Sequence, residues 1–194
     1  VDAIVARHHA WQQKAHQKLR EHWGHTEFRD NQLDALQAVL CGQDCLVVMA
    51  TGSGKSLCYQ LVPLVTGVPA VVVSPLIALM QDQVLALQAR GVRAVLLGSA
   101  QADRTAEARA MAGEYDLVYV TPELLAGGRF DLAKMQRACG LSLLAVDEAH
   151  CVCEWGFDFR PDYARLGGRR PAGVPLMALT ATAPPASRHQ LCSN

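Results

Sequence analysis

Six short apolar runs constrain the fold of this chain more than any other feature. They are CLVVM (45–49), AVVVS (70–74), RAVLL (93–97), DLVYV (116–120), LSLLAV (141–146) and PLMAL (175–179). Helical patterns lie between them at 54–65, 77–90, 101–112 and 129–138. A strand that is apolar along nearly its whole length has both faces buried. Such strands, separated by helices, predict an α/β domain with a parallel sheet flanked by helices. In open sheets of this kind, ligands bind beyond the carboxyl ends of the strands. The segments after 49, 74, 120, 146 and 179 are therefore where chemistry is expected.

The 194 residues are 51% hydrophobic and 19% charged, enough for a buried core and unlike a disordered composition. Formal net charge is zero, so a nucleic-acid surface would have to be a local patch. Arg160, Arg165, Arg169 and Arg170 cluster with Asp162 as the one acid among them; the plain reading is a solvated face. Seven cysteines at 41, 45, 58, 139, 151, 153 and 192 fit neither a disulfide framework nor a paired zinc pattern. Free thiols, no zinc and an intracellular location are expected, in the nucleus of a eukaryote or the cytoplasm or nucleoid of a bacterium. No apolar stretch is long enough to span a bilayer, and the N-terminus lacks a signal-peptide layout, so no membrane partner is expected. Residues 1–24 read as an N-terminal helical extension whose Arg7, Lys14, Lys18 and Arg20 are solvated. Residues 25–194 read as one domain, cut short where SRHQLCSN stops at the expected start of another helix.

Two strand ends carry recognisable chemistry. Thr51, Gly52, Ser53, Gly54, Lys55 and Ser56 follow the first strand and open a helix. Glycines let backbone N–H groups converge on an anion, and the helix N-terminus adds partial positive charge. Lys55 would reach the β and γ phosphates of a nucleotide, and Ser56 would ligate magnesium. The fifth run ends in Asp147 and Glu148, placed to hold magnesium and to position or deprotonate a water. Beyond them Trp155, Phe157 and Phe159 offer stacking faces for bases, and Arg160 a phosphate contact.

Together these segments resemble superfamily 2 helicases and, within them, the RecQ family of DNA helicases. FRDNQ (28–32) resembles the adenine-recognition motif, and MATGSGKSLCYQ (49–60) motif I with the SLCYQ trailer of RecQ proteins. VVVSPLIALMQDQV (71–84) is similar to motif Ia, VYVTPELL (118–125) to motif Ib, and LTATA (179–183) to motif III. DEAHCVCEWGFDFRPDY (147–163) resembles motif II with the aromatic-rich RecQ loop. DEAH in place of DEAD, and the WGFDFRP loop, set the chain apart from DEAD-box RNA helicases.

The resemblance implies a RecA-like P-loop domain that binds ATP and Mg2+ in an ATP-dependent 3′–5′ DNA helicase of repair and recombination. It implies that Gln32 reads the adenine edge with Arg29 in support, that His150 couples the nucleotide site to the motor, and that the aromatic loop senses DNA. Single-stranded or forked DNA is the implied substrate. A second RecA-like lobe, expected to be absent from this chain, would complete the ATP site, so the piece alone is expected to be weakly active or inactive. The rival expectation is a truncated, non-catalytic nucleotide- or DNA-binding module. Four positions depart from the family pattern: His25 for a stacking aromatic, Gln81 for a lysine, and Glu154 and Phe157 for Gln and His.

Overall fold

Residues that are apolar at every position have no wet face, and here they form the centre of a six-stranded sheet. The computed structural model describes residues 2–29, 31–98, 103, 105–152 and 161–182. The strands are β1 (Cys45–Val48), β2 (Ala70–Val73), β3 (Ala94–Leu97), β4 (Leu117–Val120), β5 (Leu143–Val146) and β6 (Leu176–Thr180). Every pairing is parallel, in the order β1-β6-β5-β2-β4-β3. All six predicted runs contain a strand, most of them trimmed at an end. The trimmed polar residues bond elsewhere: the Arg93 side chain pairs with Asp116 at 2.6 Å, and Ser142 Oγ donates to the Pro69 carbonyl at 2.9 Å.

Alternation along the strands divides the core in two. Val72, Tyr119, Ala145 and Leu179 pack on the face covered by α1 (Asp2–Trp23), α2 (Gln32–Leu40), α3 (Lys55–Thr66) and α4 (Ile77–Ala89). Val71, Val118, Leu144 and Ala178 face α5 (Ala106–Met111), α6 (Pro122–Ala126), α7 (Leu132–Ala138) and Tyr163 of α8 (Pro161–Ala164). Each Val or Leu buried this way contributes about 1.5–3 kcal/mol.

Along the first helix Trp11, Ala15, Leu19 and Trp23 make a stripe at a spacing of four that faces the core. Ala15 and Leu19 are fully buried, so α1 is docked along its C-terminal half. Helix α2 was not expected from the sequence; its Ala35, Leu36 and Val39 make a short buried stripe. Helix α6 was not expected either. Its start is set by Thr121, whose side chain accepts from the Leu124 N–H, and by Pro122 in the first turn. No helix among the described residues is long and apolar enough to cross a membrane.

Two of the clustered arginines hold the fold together. Arg169 donates to the Ala126 carbonyl at 2.8 Å, and Arg170 pairs with Asp44 at 2.6 Å. Arg165 is exposed and lies 3.7 Å from Asp162, while Arg160 falls outside the described residues.

Of the cysteines, 41, 45, 58, 139 and 151 are free thiols. Cys153 and Cys192 fall outside the described residues. Burial first, and then the neighbouring Cys45, pushes the Cys58 thiol up to about 12. Only the thiolate reacts with alkylating agents. Iodoacetamide at pH 8 should therefore modify exposed Cys41 in the folded protein and leave Cys58 untouched until denaturant is added. Peptide mass mapping reads both sites, and rapid labelling of folded Cys58 would contradict its burial.

Candidate nucleotide site

The loop between β1 and α3 turns on two glycines in the left-handed region, Gly52 at φ +79° and Gly54 at φ +90°. That turn is glycine chemistry, because a Cβ makes the conformation costly. It leaves the first N–H groups of α3 without intrahelical partners, which is an anion site. Lys55 Nζ donates to the Met49 carbonyl at 3.1 Å, folding the ammonium across the loop.

Two residues predicted to meet adenine brace this loop. Gln32 Oε1 accepts from the Arg29 N–H at 2.8 Å, and its Nε2 donates to the Gly54 carbonyl at 3.0 Å. Arg29 Nη1 donates to the Gly52 carbonyl at 3.3 Å. An amide has two protons and two oxygen lone pairs, so Gln32 keeps one donor and one acceptor position to spare. A cleft of about 700 Å3 opens beside it, lined by His25, Arg29, Gln32, Gly54 and Ser56. Gln60 of α3 and Gln83 of α4 form part of the same wall.

The acidic side of the site lies two strands from β1 in the sheet. Asp147 follows β5 and is buried, at 8% exposure. Burial raises its carboxyl above the ordinary range and the Glu148 charge adds to this, while the Glu148 N–H, Lys55 and His150 act in the opposite direction. Glu148 takes a left-handed φ of 51°, a strained turn for a non-glycine residue. Its carboxylate lies 3.3 Å from His150 Nδ1, which is also 3.3 Å from Thr180 Oγ1 on β6. Tyr163 closes the segment that resembles motif II. Its hydroxyl donates to the Asp147 carbonyl at 3.0 Å, fixing the backbone that aims the acid.

Thr51 to Ser56 thus follow β1, Asp147, Glu148 and His150 follow β5, and Arg29 and Gln32 bond to the loop after β1. Trp155, Phe157, Phe159 and Arg160 lie outside the described residues. Sequence reasoning missed Gln60, Gln83 and Tyr163. A tyrosine and a glutamine side by side in a buried helix was the available signal for the first.

The residues present fit magnesium held with a nucleotide. A hard cation takes one or two carboxylates, a hydroxyl and phosphate oxygens. Asp147 is a buried carboxylate whose anionic form a cation would favour. Among the described residues no group of three or more His, Cys, Asp or Glu could hold a metal by itself.

Residues 29–191 match the DEAD/DEAH box helicase family. The chain is 44% identical over 185 residues to the ATP-dependent DNA helicase Q-like SIM of Arabidopsis thaliana, covering 90% of this chain and 22% of that protein. It is 43% identical to the ATP-dependent DNA helicase RecQ of Haemophilus influenzae, covering 89% of this chain and 28% of that one. The chain therefore spans only 22–28% of the length of these curated relatives. Among solved structures, the DUF1998 helicase MrfA bound to DNA superposes with a TM-score of 0.66 over 93% of this chain and 28% of its own. Its 20% identity makes that a likeness of fold.

Proposed function

The chain belongs to the DEAD/DEAH box helicase family, and from that premise we propose that it is the ATP-binding motor domain of a RecQ-type, ATP-dependent 3′–5′ DNA helicase. The observation that carries this reading is the convergence on one loop. Gln32 bonds to Gly54, Arg29 bonds to Gly52, and Lys55 closes over Met49. The two relatives at 43–44% identity, both ATP-dependent DNA helicases, support RecQ within the family.

Each residue has a task. The spare N–H and lone pair of Gln32 suit the N7 and N6 edge of adenine, the pairing that amide side chains make with that base. Arg29 supports the pocket. Lys55 and the α3 N-terminus neutralise the terminal phosphates. Ser56 and Asp147 hold magnesium, which when bound offsets the charge on the phosphate oxygens. Glu148 orients the attacking water and takes its proton. His150 joins Glu148 to Thr180, so the site and β6 respond together. A second RecA-like lobe is the partner that would complete the cleft.

Trp155, Phe157, Phe159 and Arg160 are proposed to contact single-stranded or forked DNA. Stacking on one aromatic contributes about 1–3 kcal/mol per base. Trp155 emission, isolated by Trp11→Phe and Trp23→Phe, should shift or quench with single-stranded DNA. Arg160→Ala should weaken the response in a salt-dependent manner, most at low salt, where the phosphate contact is least screened. Unchanged emission at saturating DNA would remove the DNA assignment from this loop.

A further inference from the structure

The tasks given above use the adenine edge, the phosphates and the cation. They leave the two ribose hydroxyls of the nucleotide without a partner, and one wall of the cleft without a task. That wall is α4, which brings Asp82, Gln83 and Arg90 to the same cleft as Gln32 and Gly54. Arg90 is engaged within its own helix, where Nη1 donates to the Ala86 carbonyl at 3.0 Å. Gln83 is held from the core side: its Oε1 accepts from Gln60 Nε2 at 2.7 Å. Gln60 is buried, at 5% exposure, and its Nε2 also donates to Tyr119 Oη at 3.4 Å. With its oxygen turned to Gln60, the Gln83 amide keeps both of its N–H protons. Among the described residues those protons have no partner, and neither has the exposed Asp82 carboxylate.

We propose that Asp82 and Gln83 form the ribose subsite of this cleft, the carboxylate accepting from one ribose hydroxyl and the amide donating to the other. The inference rests on the nucleotide-site reading of Gln32 and the phosphate loop. A hydroxyl carries one proton and two lone pairs, so a vicinal pair of them is met by an acceptor and a donor side by side. Asp82 and Gln83 supply that pair from consecutive positions of one helix. Their place in the cleft agrees. Gln60, which holds Gln83, lies one turn of α3 past Ser56, and about 9 Å along the axis from Gly54 at 1.5 Å per residue. Phosphates seated on the loop do not reach that far, while the cleft itself runs from the loop to this wall. In dinucleotide-binding folds an acidic side chain holds a ribose hydroxyl by the same chemistry. Glu27 is the other acid on the cleft wall and provides the comparison.

The test is to titrate ATP, 2′-deoxy-ATP and 3′-deoxy-ATP, in Mg2+, into wild type, Asp82→Ala, Gln83→Ala and Glu27→Ala. Wild type should bind ATP about five-fold tighter than either deoxynucleotide, the size of one hydrogen bond. Asp82→Ala and Gln83→Ala should each bind ATP about five-fold more weakly and lose the preference for ATP over one of the two deoxynucleotides. The side chain and the ribose hydroxyl are halves of one contact, so removing both costs no more than removing either. Glu27→Ala should keep the full preference. Circular dichroism first establishes that each variant is folded, and Asp82→Ala, at an exposed position, keeps the test open if Gln83→Ala is not. Equal binding of the three nucleotides by wild type overturns the proposal and leaves the nucleotide site standing. A full preference in Asp82→Ala, or its loss in Glu27→Ala, overturns the assignment to α4, and a full preference in Gln83→Ala overturns the role of the amide. A wild-type chain that binds no ATP overturns the underlying nucleotide-site reading and this inference with it.

Discussion

Lys55→Ala should abolish measurable binding of Mg2+-ATP, a loss of about a hundred-fold or more in affinity. A hydrogen bond to a charged group contributes about 1.5–3 kcal/mol, and here the ammonium would also neutralise terminal phosphate charge. Its ammonium bonds to the Met49 carbonyl at 3.1 Å at the mouth of the loop, so truncation leaves the core untouched. Thermal unfolding of the variant should match wild type within a few degrees while calorimetry detects no ATP binding. A loss of affinity smaller than two-fold would place the phosphates elsewhere.

Gly54→Ala should be nearly as damaging, by a different route. Its φ of +90° strains any residue with a Cβ, by about 1–2 kcal/mol. The added Cβ would also stand 2.6 Å from Gln32 Nε2, the group that bonds to the Gly54 carbonyl. Either the loop or Gln32 must move, and both belong to the proposed site. We expect a stability loss of about 1–3 kcal/mol and at least a ten-fold fall in ATP affinity. Gly52→Ala is the control. Its φ is +79°, but an added Cβ would meet nothing within 4 Å, so it bears the conformational strain alone. Unfolding curves and ATP titrations of the two variants separate strain from the clash with Gln32. Equal behaviour would mean that the Gln32 contact is unimportant.

The sheet was legible because strands such as β2, Ala-Val-Val-Val, are apolar at every position and buried at every position. The phosphate loop was legible because its glycines and lysine have few other uses between a strand and a helix. Short elements were not. Helix α2 offers one small apolar stripe beside Gln32, and α6 is five residues long, too short for periodicity to register. Contacts between distant residues were also hidden. Nothing local to Gln60 points to Gln83, 23 positions away, and nothing local to Tyr163 points to the Asp147 carbonyl. Arg169 and Arg170 looked like surface charge because their partners, the Ala126 carbonyl and Asp44, are 43 and 126 positions distant.

The central claim is that Gln32 and the loop it braces form an adenine-nucleotide site that works with magnesium. Titration of the wild-type chain with ATP and with GTP, in Mg2+, tests it most directly. Adenine presents a donor at N6 beside the N7 acceptor, where guanine presents two acceptors, so the spare donor and acceptor of Gln32 suit only adenine. The account predicts ATP binding about ten-fold or more tighter than GTP binding, with the difference lost in Gln32→Ala. Equal affinity for the two nucleotides in the wild-type chain, or no ATP binding at all, would contradict it.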